Sequence, residues 1–137
     1  MMKTPITITL LTILSFSVPA FSQPIPALNP GFAEPLTREG TSGGAENSGD
    51  CGSIAPQPNH VLQVERPIPY LSFQVETNGG TPTMLVEGPS GRFCLLPHSA
   101  GGPIKYAGHG DSGSYNIYVG DRSGGSHAYT LTVTQNR

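Results

Sequence analysis

The amino-acid sequence predicts a small all-β protein, an antiparallel β-sandwich of about seven strands. Glycine (18) and proline (14) are abundant among the 137 residues, while charged residues make up only 12%. This balance is typical of turn-rich β structure and not of helix bundles. From Cys51 onward, short runs of alternating apolar and polar residues are separated by turn residues, which is the pattern of an antiparallel sandwich or barrel.

The first residues predict export of the chain. An apolar run over residues 6–18 follows the basic Lys3, and the small residues Ala20 and Ser22 come shortly after it. The run is too short for a transmembrane helix, and small-x-small is the pattern that a signal peptidase recognises. We therefore predict a signal peptide over residues 1–22 and a mature protein, free of the membrane, in the periplasm or outside the cell. An uncleaved membrane anchor is the alternative.

Residues 23–50 predict a flexible leader ahead of a folded domain over residues 51–137. The leader is rich in Pro, Gly, Ser and Glu, and its apolar residues follow no sustained period. Such a segment buries too little apolar surface to offset the entropy lost on ordering. We interpret it as a spacer, with a docking peptide around Phe32 and Leu36 as the alternative.

Seven strands account for the folded domain. Alternation is clearest at residues 70–76, 114–119 and 127–134, where apolar side chains occupy one face. The glycine-rich stretch 99–113 predicts a loose connection with one weak strand at 104–106. The remaining strands are predicted at residues 60–64, 83–87 and 92–96. The inward-facing residues of the alternating strands form the predicted core: Leu71, Phe73, Val75, Tyr115, Ile117, Val119, Tyr129, Leu131 and Val133.

The charge pattern excludes a nucleic-acid partner. The chain has 7 basic and 9 acidic residues, and Lys3 leaves with the signal peptide. The remaining cations are scattered singly and form no basic patch for a phosphate backbone. Tryptophan, the commonest stacking platform for sugars, is absent, although tyrosine can replace it. The partner is therefore predicted to be a protein or a glycan, and the oligomeric state stays open.

The two cysteines of the chain, Cys51 and Cys94, are predicted to form a disulfide. Export takes the chain into an oxidising compartment, where a cysteine pair in a small domain is normally oxidised. The bridge would tie the end of the leader to the strand that holds Cys94. Two unpaired buried thiols are the alternative.

Three segments between Tyr70 and Gln135 resemble the bacterial pre-peptidase C-terminal family. They are Leu-Val-Glu-Gly-Pro-Ser-Gly at 85–91, Gly-Ser-Tyr-Asn-Ile-Tyr-Val at 113–119 and Tyr-Thr-Leu-Thr-Val at 129–133. The resemblance implies a small β-sandwich of the kind found on exported proteins and often appended to secreted proteases. Because no peptidase domain precedes these segments, it also implies an alternative, an accessory subunit of a separately encoded secreted peptidase.

No cofactor and no metal are predicted. Members of the family commonly carry acidic residues, some of them calcium ligands, in the strand before the Pro-Ser-Gly turn. Here that strand reads Thr-Met-Leu-Val over residues 83–86, with only Glu87 near its end, and calcium requires six or more oxygen ligands. The histidines lack the spacing that preassembles a zinc site, although pairs formed by folding stay open. They are His60, His98, His109 and His127.

Ser112 lies in a Gly-Asp-Ser-Gly sequence that looks like the nucleophile segment of chymotrypsin-like serine proteases. A small hydrolase would recruit His60 or His98 as base and Asp50 to orient it. However, those proteases have glycine where Ser114 follows, and the domain is too small for the two barrels that build their site. Since Asp, Ser and Gly also form turns, we predict a turn here and no catalytic residue.

Four residues are predicted as possible binding residues. By alternation Tyr118 faces outward from its strand, and Tyr106 lies in the glycine-rich connection. Asp121 and Arg122 belong to the hairpin loop between the last two strands. Recognition by a sandwich usually occurs at its loop ends. The sequence therefore predicts a non-catalytic exported module that binds a protein or a glycan, with the Ser112 hydrolase as a disfavoured alternative.

Overall fold

The chain folds into two antiparallel β-sheets that pack face to face. The computed structural model describes residues 13–15 and 24–137, and within those ranges it contains ten strands and no helix. The prediction of an all-β sandwich is confirmed. The predicted signal peptide lies outside the described residues, apart from residues 13–15. Nothing in the described part of the chain forms a helix of the length and apolarity that a membrane crossing requires.

Strands β4 to β10 correspond to the seven predicted strands, and β1 to β3 precede them. In chain order the strands are β1 (Leu36–Thr41), β2 (Glu46–Asn47), β3 (Ser53–Ile54), β4 (His60–Val64), β5 (Ile68–Thr77), β6 (Pro82–Gly88), β7 (Gly91–Leu95), β8 (Ile104–Gly110), β9 (Gly113–Asp121) and β10 (Ala128–Thr134).

The two sheets differ in size. The smaller sheet has the strand order β1-β10-β5-β8. The larger has the order β2-β3-β9-β6-β7, and β4 also pairs with β9. Strand β9 pairs with β4 on one side, where Ile117 lies opposite His60. On its other side β9 pairs with β6, and Asp121, the last residue of β9, lies opposite Pro82, the first residue of β6. The start of β6 and the end of β9 therefore lie side by side at one end of the sandwich.

The core lies between the sheets and consists of inward-facing side chains from both. Phe73, Ile117 and Leu131, each from a strand with predicted alternation, are fully buried. Phe73 and Tyr115 meet edge to face with ring centroids 5.7 Å apart, an arrangement that the charge distribution of aromatic rings favours. The predicted inward faces of these three strands are confirmed.

A buried polar pair joins the two sheets across the core. His60 Nε2 of β4 lies 2.7 Å from the hydroxyl oxygen of Tyr129 of β10. Burial lowers the pKa of His60 to about 4, and the positive charge of Arg38 acts in the same direction. Because His60 is therefore neutral near pH 7, the core contains a hydrogen-bonded neutral pair and no buried cation.

Strand β6 is buried on both faces. One face contributes to the core, but Thr83 and Leu85 on the other face are also buried. The chain around Cys51 covers this outer face, and the Cys51 carbonyl accepts a hydrogen bond of 2.7 Å from Thr83 Oγ1. The disulfide between Cys51 and Cys94, whose Cα atoms are 5.7 Å apart, holds the covering segment against β7. The predicted disulfide is confirmed.

The prediction of a flexible leader over residues 23–50 is wrong for much of its length. Leu36–Thr41 forms β1 and pairs with β10 at the edge of the smaller sheet. Leu28 is fully buried, and its backbone N–H donates a hydrogen bond of 2.7 Å to the Gln63 carbonyl. A polar edge strand is ordered by the backbone of its neighbour and carries no apolar period of its own. The folded domain therefore starts earlier than residue 51.

Candidate binding cleft

Three connections between strands meet at one end of the sandwich. The pairing of Pro82 with Asp121 and of Met84 with Leu95 places the start of β6 and the ends of β7 and β9 at the same edge of the larger sheet. The connections that extend from this edge are residues 78–81, 96–103 and 122–127.

A cleft of about 260 Å³ opens between these connections. Part of its wall is apolar, and Leu96 exposes 43% of its surface there. Its polar side includes a guanidinium, an imidazole and a hydroxyl. Among the lining residues are Thr81, Pro82, Leu96, His98, Ala100 and Arg122.

Arg122 brings a positive charge to the cleft. Its backbone N–H donates a hydrogen bond of 2.9 Å to the Thr81 carbonyl, which ties the β9–β10 hairpin to the β5–β6 connection. Its side chain is exposed, and within residues 24–137 its guanidinium forms no ion pair with a carboxylate. The structure therefore places the predicted binding residue Arg122 where a ligand has access to an unneutralised cation.

Asp121 supports the cleft from below and does not face it. The sequence placed Asp121 in an exposed hairpin loop, but it is the last residue of β9 and is fully buried. Its Oδ1 accepts hydrogen bonds from Thr81 Oγ1 at 3.2 Å, from the Ser123 N–H at 2.8 Å and from Ser123 Oγ at 2.6 Å. Its Oδ2 lies 3.3 Å from His127 Nδ1. These contacts fix the turn that presents Arg122. The predicted position of Asp121 in an exposed loop is therefore wrong, while its role as a binding residue stays a prediction.

The charge of Asp121 is maintained despite its burial. Burial by itself raises the pKa of this carboxyl, but the hydrogen bonds from Ser123 and Thr81 outweigh it and leave the pKa below its usual value. The carboxylate is therefore ionised near neutral pH, and its hydrogen-bond donors are Ser123 of the turn and Thr81 of the neighbouring connection.

Gly80 closes the floor of the cleft over Asp121 and His127. A Cβ atom at this position would lie 2.5 Å from Asp121 Oδ2 and 2.5 Å from His127 Nδ1. Gly80 also has a φ of +76°, a conformation that favours glycine. A larger residue at position 80 would push the connection away from Asp121 and His127 beneath it.

Tyr106 is part of a strand and packs on the core. The glycine-rich stretch that predicted a loose connection contains the complete strand β8, Ile104–Gly110. The Tyr106 ring stacks on Phe73 with centroids 5.3 Å apart, and Phe93 lies at 5.9 Å. The prediction of Tyr106 as a loop residue is wrong because pairing with β5 orders this stretch in spite of its glycines.

Tyr118 lies on the outward face of β9, as its alternation predicts. It is half-buried, and desolvation raises the pKa of its hydroxyl. Its backbone lies opposite Leu85 of β6, so it is away from the cleft. Its role in binding stays a prediction.

Ser112, His60 and Asp50, three of the groups recruited for the hydrolase alternative, are held by other contacts. Ser112 Oγ donates a hydrogen bond of 3.2 Å to the Glu65 carbonyl. His60 is bound to Tyr129 inside the core, and both carboxylate oxygens of Asp50 accept hydrogen bonds from Arg92, at 2.7 and 2.9 Å. The turn predicted at Ser112 is therefore consistent with its contact.

The histidines are distributed over separate places in the fold. His98 lines the cleft, His109 Nε2 lies 3.5 Å from Asp111 Oδ1, and His127 contacts Asp121. In the described ranges, no three side chains of His, Cys, Asp or Glu come together in a way that would hold a metal ion.

Sequence reasoning found Arg122 but missed the other side of the cleft. Leu96 was predicted to be part of a strand, but β7 ends one residue earlier, at Leu95. The following residues, Pro97 to Gly101, have the composition of an ordinary turn-rich connection. The only signal in the sequence was the apolar Leu96 at the end of a strand and next to a proline, and a single apolar residue of this kind does not distinguish a cleft wall from an ordinary surface.

Comparisons with known proteins identify relatives of this fold. No protein-family model matches the chain. An uncharacterized protein of Synechococcus elongatus is 42% identical over 103 residues, which cover 72% of this chain and 75% of the relative. The crystal structure of the pre-peptidase C-terminal domain of a collagenase from Bacillus anthracis superimposes with a TM-score of 0.52 at 18% identity, and the match covers 82% of this chain and all of that domain. This likeness shows a common fold.

Proposed function

We propose that this chain is an exported module that binds a protein or a glycan at the cell envelope or outside the cell. The chain belongs to the same family as the uncharacterized Synechococcus elongatus protein, and it has the pre-peptidase C-terminal fold. It acts by binding and performs no catalysis. The contact surface is the cleft between residues 78–81, 96–103 and 122–127.

One observation carries the proposal: the exposed Arg122, which forms no ion pair within the described residues, and the exposed apolar Leu96 line the same cleft, which three connections form. Connections at the end of a rigid sandwich are the usual place of recognition in this architecture. The cleft offers a partner an apolar surface to bury and a cation to pair with. The support for export is the apolar N-terminal run and the disulfide, which suits an oxidising compartment.

A second candidate is an accessory subunit of a separately encoded secreted peptidase. The observation that favours it is the shared fold with a domain of a collagenase. Because fold alone does not determine function, the identity of the bound partner separates this candidate from the first. A peptidase as the bound partner supports the accessory subunit.

Affinity capture tests the binding proposal. The mature, disulfide-bonded chain is used as bait in the exported fraction of the source organism, in parallel with Arg122→Gln and with Lys105→Gln. Lys105 is an exposed cation of β8, in the other sheet and outside the cleft. Lys105→Gln therefore removes one positive charge, as Arg122→Gln does, but leaves the cleft unchanged. We expect one partner to be retained by the wild-type chain and by Lys105→Gln and lost by Arg122→Gln. Equal retention by all three baits would contradict the proposal.

A serine-reactive probe tests the absence of catalysis. We expect a fluorophosphonate to leave Ser112 unlabelled, because its hydroxyl donates to a backbone carbonyl and contacts no histidine within the described residues. Ser112→Ala should bind the captured partner as the wild-type chain does. Labelling of Ser112 that disappears when a histidine is replaced would establish the hydrolase instead.

A further inference from the structure

We infer that the cleft is a carboxylate site, which takes the C-terminal carboxylate of a partner polypeptide together with an apolar last side chain. This inference rests on the proposed function, because it names the ligand of the same cleft. The site needs one cation free to pair, an apolar wall next to it and room for one residue.

The free cation is Arg122. The lining of the cleft contains Arg122 and His98 but no acidic side chain, although the whole chain has a net charge of −2. The carboxylate that precedes it in the chain, Asp121, is fully buried, and its oxygens contact Thr81, Ser123 and His127. The guanidinium therefore keeps its donors for a ligand, and its planar fork matches a carboxylate with two parallel hydrogen bonds.

The wall beside this cation is apolar. Leu96 exposes 43% of its surface, and Pro82, Pro97 and Ala100 continue the wall. An apolar ligand group that covers Leu96 would remove this surface from water, which is favourable in proportion to the area buried. The volume of about 260 Å³ is below the usual range for drug-sized ligands and suits a single terminal residue.

The composition of the lining favours a carboxylate over a sugar. Within the described residues, the lining of the cleft has no Phe, Tyr or Trp ring on which a sugar could stack. Its lining also lacks Asp, Glu, Asn and Gln, so few side-chain acceptors are present for sugar hydroxyls. A positively charged, partly apolar cleft is complementary to an anion that carries an apolar group. The end of a polypeptide supplies both on one residue.

Titration of the full mature, disulfide-bonded chain with defined peptides tests the inference. The probes are a tetrapeptide ending in leucine with a free C-terminal carboxylate, the same peptide as its C-terminal amide, and N-acetyl-leucine as a free acid without a peptide chain. Amide chemical shifts in NMR report where each probe binds. We expect the acid peptide to shift the amides of Thr81, Leu96 and Arg122, and the amide peptide to bind roughly tenfold more weakly or worse, because it loses the charge-assisted hydrogen bonds.

Substitutions at position 122 test whether the guanidinium causes the preference for the acid peptide over the amide peptide. Arg122→Gln should abolish the preference for the acid over the amide, Arg122→Lys should retain part of it because the charge remains, and Lys105→Gln should leave it unchanged. The thermal unfolding midpoint of each variant checks that it is folded. Equal binding of acid and amide, or a preference that survives in Arg122→Gln, would overturn the inference. N-acetyl-leucine binding as tightly as the acid peptide would overturn its polypeptide part.

The affinity capture and the peptide titration distinguish failure of the proposed function from failure of the carboxylate inference. If Arg122→Gln loses the captured partner but the acid peptide does not bind, the cleft is a binding site and the carboxylate inference is wrong. If the acid peptide binds through Arg122 but capture does not depend on the cleft, the carboxylate inference is supported and the proposed function is wrong.

Discussion

Lowering the pH from about 8 to about 5 is expected to destabilise the fold through one buried histidine. His60 is 5% exposed, and its pKa is lowered to about 4 by burial and by the charge of Arg38, whereas unfolding returns the pKa to about 6.5. Between these values the unfolded chain binds a proton that the folded chain does not, so the free energy of unfolding decreases as the pH falls. The decrease is about 2 kcal/mol near pH 5 and approaches about 3 kcal/mol below pH 4.

Asp50, Asp121 and Tyr129, whose pKa values are also shifted, titrate outside the interval from about pH 8 to about pH 5. The Arg92 hydrogen bonds lower the pKa of Asp50, and hydrogen bonds hold that of Asp121 low despite its burial, so their contributions are lost only below about pH 4. Burial raises the pKa of Tyr129, and the folded state then loses stability only as the pH rises above about 10. The interval between about pH 5 and pH 8 therefore lies outside the range in which these carboxyl and phenol groups titrate.

Urea unfolding of the disulfide-bonded chain at a series of pH values measures this effect. In His60→Gln the side chain does not titrate, so the free energy of unfolding should vary much less between about pH 8 and pH 5. The control is His109→Gln, since His109 is a histidine with a half-exposed side chain, and it should keep the wild-type pH dependence. A wild-type stability that is flat over this interval, or a slope that survives in His60→Gln, would refute the assigned burial of His60.

Three further predictions concern the packing. Gly120→Ala should lower the free energy of unfolding by about 1–3 kcal/mol, because its Cβ would lie 2.8 Å from the Cys51 carbonyl oxygen. The control Gly108→Ala should be neutral, because a Cβ there meets nothing within 4 Å. Equal urea midpoints for the two variants would contradict this prediction. Ile117→Ala should cost about 2–5 kcal/mol and Thr132→Ala less than about 1 kcal/mol, and equal costs would disprove the alternation. Reduction of the disulfide should cost on the order of 4 kcal/mol, and an unchanged unfolding midpoint would contradict that estimate.

The strands were predictable where the sequence carries their period. Ile117 and Leu131 alternate with polar residues because one face of each strand meets the core and the other meets solvent, and this difference is visible in a single sequence. Leu85 does not fit such a period, since the segment around Cys51 covers the outer face of β6. The tertiary arrangement decides which segment covers a strand, and the residues of the strand alone do not indicate it.

The N-terminal part of the fold was not predictable from its own residues. Leu28 is an isolated apolar residue among prolines, and it is buried because a parallel bridge to Val64 places it against the core. Leu36–Thr41 is ordered by pairing with β10. Contacts between residues far apart in sequence decide both outcomes, from Leu28 to Val64 and from Leu36 to Val133.

The candidate site was predictable in part. Arg122 was found because the connections of a sandwich lie at its ends, whatever their sequence. Asp121 and Tyr106 were misplaced because local composition does not show whether a polar or glycine-rich stretch is covered by the rest of the fold. Leu96 was missed since only the meeting of three connections turns a strand end into the wall of a cleft.

Site-specific photo-crosslinking tests the central claim, binding through the cleft, most directly. A photoreactive residue replaces Ser99, in the cleft lining, or Thr132, on the outward face of β10, and each variant is irradiated in the exported fraction of the source organism. We expect a crosslinked partner from position 99 and none from position 132. A partner crosslinked from position 132 but not from position 99 would contradict it.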